Sequence, residues 1–336
     1  MIVDAHAHVI VPEVTRDAAP SESWRPRVYR DEHGLQVIEL DGRPIRSAVG
    51  EFVDVDAILA AQDALGVDRI VLAPWVPLLW YDADPAEALR RARIQNEALS
   101  GLVRAHPERI AALGTVPLQN PALAVRELER LMGEGVLSGI ELAASVRGAY
   151  LGDERFELFW EAVERLGALV FIHPTTRGFD AEAFREYYLW NTVGNPLETT
   201  VTAAHMVMAG VMERHPGLRV LLAHGGGAIL ALHGRLRHAH GFQPQARSRL
   251  SEAPDDSLRR FYFDTLTHDP GLLRALVEFA GPDRVLLGSD YPFDMGDERA
   301  ADGVRAAGLG PDAEEAILGG NAARLLQSVS RKEMIG

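Results

Sequence analysis

The chain contains no cysteine, which excludes disulfides, thiolate metal ligands and cysteine nucleophiles and leaves imidazole and carboxylate as its metal-binding groups. Lysine is nearly absent too: Lys332, in the C-terminal tail, is the only one, so positive charge is carried by arginine. No run of about 18 apolar residues is present to span a bilayer, and the first residues lack the basic start and long apolar stretch of a secretory signal. A membrane span is therefore not expected, and the expected location is the cytoplasm. The net charge of −14 speaks against nucleic acid and anionic membrane as partners, although a local arginine cluster can still hold a small acid.

What the chain does have is a regular rhythm. Eight short apolar or β-branched segments recur at 2–6, 69–75, 109–115, 138–143, 168–172, 219–223, 260–264 and 284–289. Helical patterns at 54–65, 86–105, 121–134, 154–166, 196–214 and 270–280 separate most of them. Eight β-then-α units predict an α/β fold, a (β/α)8 TIM barrel, as one domain over 1–336. A doubly wound open sheet is the structural alternative, but it would converge several strand ends on one point poorly. Residues 9–53 interrupt the rhythm and read as a small β-hairpin insertion after the first strand. A second excursion over about 174–196, rich in Phe, Tyr and Trp, reads as a lid or pocket wall.

Chemistry-bearing residues stand where these apolar segments end. His6 and His8 are two apart, so on a strand both point the same way. His173, His224 and Asp290 end later segments. In a barrel the C-terminal strand ends converge, so three imidazoles and one carboxylate (His6, His8, His173 and Asp290) make an N/O ligand set for zinc or a similar divalent ion, with room for a water. His224 is compatible with a fifth ligand and equally with a base beside the ion. Gly225-Gly226-Gly227 follows it as a tight turn, and glycines there also let a ligand approach the backbone.

Asp4-Ala5-His6-Ala7-His8, His173-Pro174, His224-Gly225-Gly226-Gly227 and Gly288-Ser289-Asp290-Tyr291-Pro292-Phe293 resemble the amidohydrolase superfamily. More narrowly they are similar to its branch containing 2-amino-3-carboxymuconate 6-semialdehyde decarboxylase, in order and spacing over nearly the whole chain. The resemblance implies a single divalent metal, usually zinc with manganese as the alternative, bound by His6, His8, His173 and Asp290, with His224 as the acid/base. It also implies arginines that hold the substrate carboxylate: Arg46, with Arg43 as a rival, and Arg235, which the family contributes across a homodimer interface. Trp190 and Phe293 match aromatic positions near the substrate; packing in the wall or core is the plainer role for both. Pro174-Thr175-Thr176-Arg177 departs from the decarboxylase itself, which has a tryptophan after the proline, so the pocket is expected to differ there. Arg177 is an extra anion-binding group or a solvated loop arginine.

Many binuclear amidohydrolases bridge two ions with a carboxylated lysine at the end of strand four, where this chain has Glu141. A carboxylate there can bridge ions, but a supporting role outside the ligand set is the preferred expectation. The implied activity is non-hydrolytic decarboxylation of an unsaturated or aromatic carboxylic acid. Hydrolysis or hydration of a related small acid is the alternative among enzymes. A catalytically silent barrel is the alternative outside them, although its signature, loss of a ligand or of the base, is not seen.

Overall fold

In the computed structural model, which describes residues 1–176 and 178–330, eight parallel strands form one sheet in chain order. They are β1 (Val3–Val9), β2 (Arg69–Pro74), β3 (Ile110–Gly114), β4 (Gly139–Ala143), β5 (Leu169–His173), β6 (Arg219–Leu222), β7 (Tyr262–Asp264) and β8 (Val285–Leu286). The sheet closes on itself just past β8. There Ala5 N–H donates to Leu287 O, Asp290 N–H to His6 O and His8 N–H to Tyr291 O, each at 2.8 Å. This is the expected (β/α)8 barrel.

Alternation along the strands divides the core in two. Ile70, Leu72, Ile140, Leu142, Val170 and Ile172 face outward and pack with helix residues such as Leu99, Leu128 and Trp160. Val71, Leu113, Leu169, Phe171, Leu221 and Leu286 fill the interior, together with Leu325 and Leu326 of the helix Asn321–Ser330. Three of the outer helices, Pro85–Ala105, Pro121–Glu134 and Pro270–Ala280, begin with proline after Asp84, Asn120 and Asp269. Each of those side chains accepts a free N–H of the first turn, and proline supplies a fixed φ where no N–H is needed.

One irregularity decides where the site forms. Along β1, Asp4 stands opposite Ile70 and Ala7 opposite Leu72, so the register slips by one residue between them. The slip acts as a bulge. Val3 and Ala5 face the barrel interior below it, while His6 and His8, of opposite parity, face the interior above it.

Three boundaries differ from the expectations above. The insertion is a three-stranded antiparallel sheet (Arg27–Arg30, Gln36–Leu40, Arg43–Ile45), one strand more than a hairpin. Asp41 and Gly42 both have positive φ, the geometry of a two-residue hairpin turn, and so fold a third strand back onto the second. The helix expected at 196–214 is broken into Asn195–Met208 and Val211–Arg214, because Gly210 takes a left-handed conformation. The seventh and eighth strands are shorter than the apolar segments that announced them. Among the described residues, no helix is long and apolar enough to cross a membrane.

Candidate active site

The carboxyl end of the barrel gathers five polar side chains. His6 and His8 come from β1, His173 ends β5, His224 follows β6 and Asp290 lies just past β8. One ligand atom from each of His6, His8, His173 and Asp290 lies within 4.8 Å of the others, and all four residues are buried. Asp290 Oδ1 is the hub, 3.1 Å from His6 Nε2, 3.2 Å from His8 Nε2 and 3.9 Å from His173 Nε2. Neither this oxygen nor His173 Nε2 has a hydrogen-bond partner among the described residues. Buried polar atoms left unpaired are costly, and a set of N and O lone pairs converging on one point fits a divalent ion at bond lengths of about 2 Å.

The second nitrogen of each imidazole is committed elsewhere. His6 Nδ1 meets Asp264 Oδ2 at 2.7 Å, His8 Nδ1 meets Pro74 O at 3.1 Å and His173 Nδ1 meets Pro174 O at 3.0 Å. With the proton on Nδ1, each Nε2 offers its lone pair to the common centre. Burial, then the neighbouring His8, hold His173 well below the usual imidazole range, which favours its neutral, ligating form. Burial works against charge on Asp290, yet the charge of His6, then the close imidazoles of His224, His6 and His8, keep its carboxyl well below the usual range. His6 is pushed up to about 10: burial opposes its charge, but Asp290 and Asp264 outweigh burial. A bound cation would compete with that proton.

His224 stands slightly apart, its Nε2 3.4 Å from Asp290 Oδ2. His224 and Asp290 both hold φ of +57°, unfavourable for residues with a Cβ and typical of functional turns that the surrounding fold enforces. Glu141 lies on the other side of His8, with its Oε1 3.8 Å from Nδ1 rather than Nε2. Burial, partly offset by the charge of His6, raises its pKa well above the ordinary carboxylate value.

Two supporting carboxylates escaped the reading of the sequence. Asp264, ending β7, accepts from His6 Nδ1 and also from the backbone N–H of His224 at 2.8 Å and of Gly225 at 2.7 Å, so one side chain orients the ligand and the candidate base together. Gly288 makes room for it, since a Cβ there would lie 2.8 Å from His6 Cβ and 2.9 Å from Asp264 Cβ. Asp4 accepts from the N–H groups of His6 and Ser289, both at 3.1 Å, and from the Ser289 hydroxyl, tying β1 to the turn that carries Asp290. Asp264 ends an apolar segment as His173 nearly does and could have been found by the same rule, whereas Asp4 lies inside the first segment and entered only as part of the Asp4–His8 motif.

Beside the ligand set lies a cleft of about 680 Å³. Arg43 and Arg46 from the insertion, Trp190 from the excursion and Phe293 after Asp290 all line it, with His173, His224 and Asp290. Phe293 also packs edge-on against His8, ring centres 5.5 Å apart, so it both walls the cleft and braces a member of the cluster. Arg46 is 3.7 Å from Asp31, while Arg43 has no ion pair among the described residues. Arg235, on the exposed face of the helix Ile229–Phe242, does not reach the cleft of its own chain. Arg177 and Lys332 lie outside the described residues.

The sequence model for the amidohydrolase family matches residues 3–327. The chain belongs to the amidohydrolase family. It is 30% identical over 328 residues to the 2-amino-3-carboxymuconate-6-semialdehyde decarboxylase of Dictyostelium discoideum, covering 96% of this chain and 91% of that protein. The crystal structure of 5-carboxyvanillate decarboxylase from Sphingomonas paucimobilis superposes with a TM-score of 0.82 at 30% identity, over 97% of this chain and 98% of that one. A dihydroxybenzoic acid decarboxylase from Polaromonas sp., solved with bound manganese and the inhibitor 2-nitroresorcinol, shares the fold with a TM-score of 0.80 at 22% identity, over 100% of this chain and 99% of that one. The protein is thus an enzyme of the superfamily's decarboxylase branch.

Proposed function

We propose that the protein decarboxylates an aromatic or conjugated carboxylic acid without an oxidant, using one divalent ion held by His6, His8, His173 and Asp290. The observation that carries this is the buried ligand set with its unpartnered His173 Nε2 and Asp290 Oδ1, opening beside His224 onto a cleft that holds two arginines and two aromatic walls. The ion supplies positive charge for the substrate's carboxylate and a neighbouring oxygen. Arg43 and Arg46 hold acidic groups of the substrate, and Trp190 and Phe293 flank its plane. His224 delivers a proton to the carbon bearing the carboxylate. The carbon–carbon bond then breaks, its electron pair restores the conjugation lost on protonation, and carbon dioxide leaves. Asp290 Oδ2, 3.4 Å from His224 Nε2, orients the ring for that transfer.

Three imidazoles and a carboxylate suit zinc first, with manganese as the second candidate. A single ion is supported by Glu141 approaching His8 on its Nδ1 side, away from the common centre. The active unit is assigned as a homodimer in the cytoplasm, with residues 1–336 as one domain. Support for pairing comes from the helix Ile229–Phe242, which buries only Ile229 while exposing Leu232, Phe242 and the Arg235 expected to act across the interface. Metal-loaded protein should release carbon dioxide from members of a panel of hydroxybenzoic and muconate-type acids. Consumption of water without carbon dioxide would replace this reading by hydrolysis or hydration.

A further inference from the structure

A second space lies against the catalytic cleft. It measures about 230 Å³ and shares Asn191, Asn195 and His224 with the cleft. Its other walls are mostly apolar (Pro196, Leu230, Leu266, Leu272, Leu276 and Met295), with Thr192, Thr267 and His268 as the polar exceptions. The partition between the two spaces is weakly pinned. Among the described residues Asn195 Oδ1 and His224 Nδ1 have no hydrogen-bond partner, and the Asn191 side chain makes one long contact, 3.4 Å to Tyr188 Oη. The two asparagines break little on turning aside, while His224 stays held by Asp264 and Asp290, so the partition opens beside the imidazole rather than through it.

We propose that this chamber is a substrate subsite, taking an apolar substituent carried on the carbon next to the one that loses its carboxylate. The inference rests on the decarboxylase reading, because His224 is then the group that addresses the reacting carbon. A group that passes the His224 partition must be attached close to that carbon. A cavity of about 150 Å³ holds a benzene ring, so this chamber has room for a short alkyl chain or a small ring. Arg43 and Arg46 line the cleft and, among the described residues, no arginine lines the chamber, whose wall is mainly apolar and so favours hydrocarbon over an acidic group.

The test uses metal-loaded protein and three probes: 2-hydroxybenzoate, 2-hydroxy-6-methylbenzoate and 2-hydroxy-6-propylbenzoate. Equilibrium binding, followed by calorimetry and ligand-observed NMR at millimolar concentration, should tighten along the series by up to about fourfold per buried methylene. Leu272→Trp, at a partly exposed wall position, should abolish the propyl advantage and leave the unsubstituted acid unchanged; Leu230→Phe is the second filling variant. Affinity that does not rise with the alkyl group, lack of binding by the alkylated probes, or a propyl advantage that survives both filling variants would overturn the subsite. Carbon dioxide release is scored separately. Its absence, with alkyl-dependent binding intact, would count against the decarboxylase reading and leave the subsite standing.

Discussion

The metal cage and the segment that covers the cleft are built on opposite terms. Each imidazole in the cage has its second nitrogen fixed by a contact of 2.7 to 3.1 Å; Asp4 binds the backbone on both sides of the seam between β1 and the turn after β8, and Asp264 ties His6 to the turn after β6. The excursion after β5 is made of short turns, and Thr176, Phe179, Asp180, Tyr187 and Tyr188 all hold positive φ. Among the described residues its polar ties to the barrel include Thr175 to Glu198, with N–H to Oε2 at 2.7 Å, and Tyr188 to Asp294, with Oη to Oδ1 at 3.0 Å. Rigid strands thus set the geometry of the His/Asp cluster, and loops that can be remodelled at little cost to the core wall the cleft beside it.

Breaking the cage should give the largest effects. Asp290→Ala removes the hub of the ligand set, and His173→Ala removes the ligand with the freest nitrogen. Both should lose the ion and lower carbon dioxide release by about 1,000-fold or more, the scale of losing a main electrostatic contact to the transition state. Elemental analysis beside the activity assay checks this, and two ions per fully active chain would move Glu141 into the ligand set. His224→Ala sharpens the contrast from within the site: metal content should persist while turnover falls by about 100-fold, as for a positioned acid/base. Loss of metal together with activity would make His224 a ligand.

The barrel and the buried cluster of His6, His8, His173 and Asp290 were legible because both depend on local pattern. Eight apolar segments with helical intervals leave little choice of fold, and His6, His8, His173, His224 and Asp290 each end a segment. The remainder depended on partners distant in the chain. The slip that turns both Ala5 and His6 inward belongs to the pairing of β1 with β2 and has no signature within 2–8. Asp264 is 258 residues from the imidazole it orients. Arg43 and Arg46 stand on the insertion's third strand and just after it, so spacing alone could not choose between them, and both reach the cleft.

Loosening the cage without removing a ligand should have an intermediate effect. Asp264→Asn keeps the size of the side chain but weakens the acceptor for His6 Nδ1 and for the N–H groups of His224 and Gly225. Metal affinity should fall by about 10- to 100-fold, the usual result of changing a carboxylate behind a ligating histidine. Competition with a chelator measures it. With saturating metal restored, turnover should stay low, because the same change frees the backbone of His224. Full recovery on adding metal would confine Asp264 to the ligand it touches.

The smallest effect belongs to the cover. Tyr188→Phe deletes the hydroxyl that bridges the excursion to Asp294, while the ring can keep its edge-on contact with Trp190, centres 5.1 Å apart. One hydrogen bond to a carboxylate is lost at a partly exposed position, so KM should rise by about fivefold, metal content should not change and turnover should stay within about twofold. The left-handed conformations at Tyr187 and Tyr188 are then held by less, so amide exchange over 178–194 should quicken while exchange in β1 and β5 stays as it was. That split is the decisive readout. Exchange that quickens equally in the strands would mean that the cover and the cage are one cooperative unit, and unchanged exchange throughout would mean that the Tyr188–Asp294 contact does not hold the cover in place.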